Sequence, residues 1–290
     1  MKQEIHFVTG KGGVGKSVVA AALALKLSRQ GKKVLLVELG DQSFFKDFFE
    51  LADVTFHPQL IKPNLSLALW TGESCLREYA QYLVKVESLA KLFFDNAVMR
   101  AFINIAPGLP ELAMLGKITS GPRKYGPPMP FDCVVVDAFA TGHFKALMEA
   151  PAGMAQAVQI GPMGEQSRSI IRVLTDPEVS KYHIVSLPEE LPLKESTELA
   201  EMLQKEFSVE PTLVMNKVLD VNIPRASLQN AESLTTSDLG LFAQYLEQQL
   251  DRQSQMMDQA KTKFKKILKV PLFFETNPWT LVEKAVEKLP

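Results

Sequence analysis

Gly10 to Ser17 reads GKGGVGKS, and no other stretch of this chain restricts its fold so tightly. Small residues let successive backbone N–H groups turn inward around a phosphate. Lys16 is placed to reach β- and γ-phosphates, and the Ser17 hydroxyl to join a Mg²⁺ shell. A helix leaving the loop adds the positive end of its dipole. The motif therefore needs a buried strand before it and a helix after it. Both are legible. Ile5 to Thr9 is a short apolar run, Ser17 to Arg29 is rich in Ala and Leu, and Gly31 stops it. Lys33 to Leu39 (KVLLVEL) is the next strand, which completes a parallel βαβ unit.

The alternation continues down the chain. Leu65–Trp70, Asp132–Ala138 (DCVVVDA), His183–Leu187 and Thr212–Asn216 read as strands, with Val270–Phe274 a weaker one. Helical patterns run near Glu73–Ile105, Gln166–Leu174, Lys194–Phe207, Asp238–Leu268 and Trp279–Leu289, and Gly121–Pro130 reads as a loop. Nearly continuous apolar strands such as VVVDA suit a sheet covered on both faces. The expected fold is an α/β P-loop NTPase: a mostly parallel twisted sheet between helical layers. One domain over 1–290 is expected, with helical insertions near 73–118 and 225–268. Asp137, closing the apolar run VVVD, is the expected acidic partner of Ser17 around Mg²⁺.

Charge narrows the function. Lys plus Arg is 32 against Asp plus Glu 33, without the basic excess that coats a polyanion, so no nucleic-acid partner is expected. The longest uncharged stretch worth testing, Ala150–Gly164, carries two prolines and falls short of the ~20 apolar residues a spanning helix needs. No stable membrane insertion is expected. MKQEIHFVTG lacks the apolar core of a secretory signal, and Cys75 and Cys133 make no disulfide framework. The expected compartment is the cytoplasm.

Lys11 at the start of the loop gives the form K-G-G-x-G-K-[ST], which resembles the deviant Walker A of the MinD/ParA/nitrogenase-iron-protein group of dimerising ATPases. Asp137–His143 (DAFATGH) resembles the D-x-x-x-T-G-H switch II of the ArsA-type ATPases. That family includes the arsenical pump-driving ATPase and the ATPase of guided entry of tail-anchored proteins. Pro107–Ile118 (PGLPELAMLGKI) and Leu187–Glu195 (LPEELPLKE) are similar to further family stretches. The resemblance implies ATP and Mg²⁺ as cofactors, bound by Gly10, Lys11, Gly12, Gly13, Val14, Gly15, Lys16 and Ser17. It implies a homodimer in which Lys11 reaches the partner's nucleotide, with Asn216 of VMNK reading adenine.

The chain also departs from the family. Switch I usually opens Asp-Pro-Ala-His, and its aspartate positions the attacking water; here the stretch is ELGDQSFFKDFF, with Gly40 at that position. Asp41, one residue late, is the candidate replacement. The CxxC pair that binds zinc between subunits in the family's tail-anchored-protein branch is absent, and two cysteines and four histidines without metal-like spacing predict no structural zinc. Two cysteines 58 positions apart argue against an arsenite site.

Phe44, Phe45, Phe48 and Phe49 recur at helical spacing after switch I, and Leu89, Phe93, Phe94, Val98 and Phe102 form a second stripe. Met114 and Leu115 follow the proline-glycine turn. Each is either core or part of a surface for a hydrophobic protein client. The function expected from these features is an ATP-driven homodimeric switch controlling a hydrophobic client. The alternatives are an ATP-stabilised scaffold with little turnover and, further off, a MinD/ParA-like positioning ATPase or an arsenite pump ATPase.

Overall fold

The computed structural model describes residues 3–83, 108–221 and 238–289. Its elements run β1 (Glu4–Gly10), α1 (Lys16–Arg29), β2 (Val34–Leu39), α2 (Phe44–Phe48), β3 (Gln59–Lys62), β4 (Leu65–Trp70) and α3 (Gly72–Leu83). There follow α4 (Leu109–Ile118), α5 (Ser120–Arg123), β5 (Cys133–Ala140), α6 (Thr141–Ala157), α7 (Pro162–Leu174), β6 (Ser180–Ser186) and α8 (Glu190–Phe207). The last are β7 (Thr212–Val218), α9 (Asp238–Lys263), β8 (Ile267–Pro271) and α10 (Pro278–Val286). The strands form one sheet in the order β3-β4-β2-β5-β1-β6-β7-β8. Every pairing is parallel except β3 with β4.

Alternation along the strands sorts the core into two layers. Ile5, Phe7, Leu35, Val37, Val134 and Val136 face a layer that also holds Trp70, Leu115 and Phe144. Val8, Val34, Leu36, Cys133 and Val135 face α1, which α10 covers from outside. The same two-residue period carries Glu38 and Asp137 onto the α1 face, one step beyond Leu36 and Val135. The two are register partners on adjacent strands. A period-2 rule read from the sequence thus sets two acidic side chains under the start of α1.

The structure corrects several expectations. The last long helix ends at Lys263, not Leu268, and the following strand is Ile267–Pro271 rather than Val270–Phe274. The lysine-rich sequence FKKILKV favours helix locally, but pairing with the open edge of β7 outweighs propensity. Gly121–Pro130 is not wholly loop, since a short helix covers Ser120–Arg123. Thr141–Ala157 is helical although it holds Pro151, which is buried there; the proline and glycines hid this helix in the sequence. The antiparallel edge strand β3 was not expected either. Asp137 does not end its strand, which runs on to Ala140.

The apolar stripes resolve unevenly. Phe45 is fully buried, Phe49 is buried and stacks on Trp279 with ring centroids 3.9 Å apart, and only Phe44 is largely exposed. Met114 and Leu115 are buried beneath the sheet. Phe45, Phe49, Met114 and Leu115 are core. The stripe Leu89, Phe93, Phe94, Val98 and Phe102 lies outside the described residues, as do parts of both expected insertions. Among the described residues, no helix is long and apolar enough to cross a membrane.

Candidate nucleotide site

β1 delivers the phosphate loop to the carboxyl end of the sheet, between β5 and β6, where open α/β folds bind their ligands. Two glycines are demanded by geometry. At Gly10 (φ 146°) an added Cβ would lie 2.1 Å from the Val185 carbonyl oxygen. Gly15 caps α1 in the left-handed region at φ 90°, and its Cβ would meet Asn216 Nδ2 at 2.4 Å. Only glycine enters there without strain. No side chain caps α1 and its first turn holds no acidic residue, so the opening N–H groups are left for an anion. Gly12 and Gly13 are exposed, whereas Val14 is buried and anchors the loop's inner side.

Lys16 folds back over the loop and donates to the Lys11 carbonyl at 3.2 Å. Burial lowers its pKa, and the Asp137 charge opposes that shift. Asp137 is buried, and one carboxylate oxygen, Oδ1, has no hydrogen-bond partner. Burial pushes its pKa up to about 7, aided by the Glu38 charge and opposed by the Ser17 hydroxyl and Lys16. An orphaned carboxylate oxygen beside a serine hydroxyl at a phosphate loop is the donor set a hydrated Mg²⁺ requires, so the residues fit that ion. Sequence reasoning had paired Ser17 with Asp137, and the structure brings them together.

Asn216 is buried and donates from Nδ2 to the Val14 carbonyl at 2.8 Å. One of its two N–H groups is therefore spent on holding the loop. Asp41 is exposed on the loop after β2. Lys11 does not turn into its own loop. Its ammonium lies 2.7 Å from Glu195 Oε1 on α8, and Glu195 Oε2 accepts from the Thr141 hydroxyl at 3.1 Å.

Three of these participants went unassigned from sequence. Glu195 and Thr141 lie within segments already noted, but nothing in their spacing shows that they meet. Glu38 was signalled by a lone acidic residue in the apolar run VLLVEL. Its carboxylate accepts from the Ser43 hydroxyl at 2.5 Å and from the Phe44 N–H, fixing the start of α2, while burial raises its pKa.

At the opposite end of the strands, Glu4, His6 and Cys133 bring ligand atoms within 4.8 Å of one another, a cluster that sequence spacing did not reveal. Lys32 and Lys181 already sit 2.7 and 3.0 Å from the two Glu4 oxygens, so ammonium groups fill the cation positions there.

The family model described as anion-transporting ATPase matches residues 3–165, from β1 through switch II. ATPase BagA of Mycobacterium tuberculosis is 28% identical over 235 residues, covering 78% of this chain and 68% of that protein. The arsenical pump-driving ATPase of Acidiphilium multivorum is 28% identical over 229 residues, covering 73% of this chain but 39% of its own length. The corresponding pump-driving ATPase of Escherichia coli is 25% identical over 242 residues, covering 77% of this chain and 40% of its own. The chain thus spans well under half of either pump-driving relative. With a family model matched over more than half its length onto the phosphate loop, the Asp137 strand and switch II, this chain belongs to the ArsA family of ATPases.

Proposed function

We propose that this ATPase works as a homodimeric switch, in which MgATP draws two copies together and hydrolysis releases them. The observation that carries the reading is the direction of Lys11. Its side chain is turned away from its own phosphate cradle toward Glu195, so its charge is not committed to its own nucleotide. Lys16 and the open N–H groups of α1 hold the phosphates of the same chain, and Ser17 with Asp137 holds the metal's hydration shell. Bound Mg²⁺ would neutralise phosphate charge as the terminal bond breaks. The protein's part is positioning and electrostatic stabilisation, with Lys11 serving the opposite subunit.

The replacement of the family's switch I aspartate by Gly40, with Asp41 exposed beside it, supports slow turnover and hence a long-lived ATP-bound state. The controlled partner is a hydrophobic protein segment. Light scattering without nucleotide, with ADP and with a non-hydrolysable ATP analogue tests the reading. The analogue should raise the dimer fraction, Lys11→Ala should weaken that response, and Lys16→Ala should abolish multiple-turnover phosphate release. A dimer fraction indifferent to the analogue would refute the switch.

A further inference from the structure

We infer that Glu195 is a positioning residue that parks Lys11 within its own chain and ties the phosphate loop to Thr141 of switch II. The inference rests on the homodimer reading and deepens it by naming what holds the switch open.

The bridge has two arms. Glu195 Oε1 takes the Lys11 ammonium at 2.7 Å, and Oε2 takes the Thr141 hydroxyl at 3.1 Å. Lys11 opens the loop after β1, and Thr141 is the first residue of α6, four positions after Asp137 on the same stretch of chain. One carboxylate therefore spans the two connections that a nucleotide must engage. Lys11 and Glu195 each keep 29% of their side-chain surface exposed, so the pair can break without exposing a buried charge. Its charge-assisted bond pulls Glu195 below the usual carboxylate range, with Thr141 adding to the shift.

A single ammonium cannot stay seated on Glu195 and also reach the phosphates of a second copy. Closing the dimer must break the Lys11–Glu195 pair in each subunit, which leaves Glu195 held by Thr141 alone. Glu195 thus sets how much nucleotide binding is needed to close the switch. A ligand shifts such an equilibrium only through its different affinities for the two states, and the parked pair belongs to the open one.

The test uses the full chain and two readouts. The first is trace acetylation of Lys11, followed by mass spectrometry, in nucleotide-free protein. Freed from its partner by Glu195→Gln, Lys11 should react about two- to five-fold faster, the range expected for a partly exposed pair. The second is the analogue concentration at half-maximal dimer. Glu195→Gln should lower it by about two- to five-fold, and Glu195→Asp should return it toward wild type. In a Lys11→Ala background, Glu195→Gln should produce no shift.

Unchanged Lys11 reactivity in Glu195→Gln overturns the parking role. So does a dimer threshold that is unmoved, or that moves equally with and without Lys11. If wild type forms no dimer with the analogue, the homodimer reading fails on its own. The acetylation result then still decides whether Glu195 holds Lys11.

Discussion

Asp137→Asn should make the nucleotide-free protein more stable while weakening its Mg²⁺ site, and the structure sets the size of the effect. Asp137 is buried with Oδ1 unpartnered, and its pKa rises from 3.8 to about 7. A carboxyl with a raised folded pKa favours the folded chain only while it is protonated. That contribution is complete below its unfolded pKa and is lost as pH rises toward 7. The gap of about 3 units, at ~1.4 kcal/mol each, sets a ceiling of ~4 kcal/mol. Water entry and relaxation would reduce this to ~2 kcal/mol, or about 4–8 °C in Tm for a chain of this size.

The neutral amide keeps the shape and escapes the penalty. At pH 8, differential scanning fluorimetry should therefore show Asp137→Asn melting about 4–8 °C above wild type. At pH 4 the two should nearly coincide, because folded wild type is then protonated as well. Added MgATP should stabilise wild type and leave the variant little changed. A variant less stable than wild type at pH 8, or an advantage independent of pH, would refute the claim that burial of the Asp137 carboxylate outweighs its Ser17 and Lys16 partners.

Three further outcomes follow from the geometry. Gly15→Ala places a Cβ 2.4 Å from Asn216 Nδ2 in a left-handed backbone, so urea melts should show a loss of about 1–2 kcal/mol or more, and calorimetry a collapse of nucleotide affinity. Phe45→Ala empties a fully buried site in the α1 layer and should cost about 3–5 kcal/mol in denaturant unfolding; an unchanged midpoint would return Phe45 to the client surface. His6 and His183 are buried with facing ring nitrogens 3.1 Å apart, and burial pushes His183 down to about 3. Folded rings thus refuse protons that unfolded rings accept near pH 6.5, so stability present at pH 7 falls as pH drops below 6.5. In His183→Leu the slope should flatten by up to ~1.4 kcal/mol per pH unit, read from denaturation midpoints at pH 7, 6 and 5.

The phosphate loop's shape was legible because it is local. Gly10 and Gly15 are demanded by backbone conformation within a few residues of Lys16 and Ser17, so the spacing alone marks the loop. The strands were legible for a related reason. Apolar runs such as VVVDA announce burial on both faces, and the two-residue period decides that Asp137 shares a face with α1.

Other features could not be read because their partners are remote in sequence. Sequence pattern left Phe45 and Met114 undecided between core and client surface, since helical spacing is the same for both; packing of Phe45 against Phe49 and of Met114 beneath the sheet decided it. The lysine-rich end of the last long helix became a strand only because β7 offered an open edge. Lys11 was recognisable as an extra lysine, but its seat on Glu195, 184 positions away, exists only once β1, β5 and α8 lie side by side. Sequence by itself determined the nucleotide chemistry and the α/β class, both set by short-range geometry and period. Tertiary structure decided which charges meet, since a carboxylate on one element and an ammonium on another acquire a relationship only when the sheet order makes them neighbours.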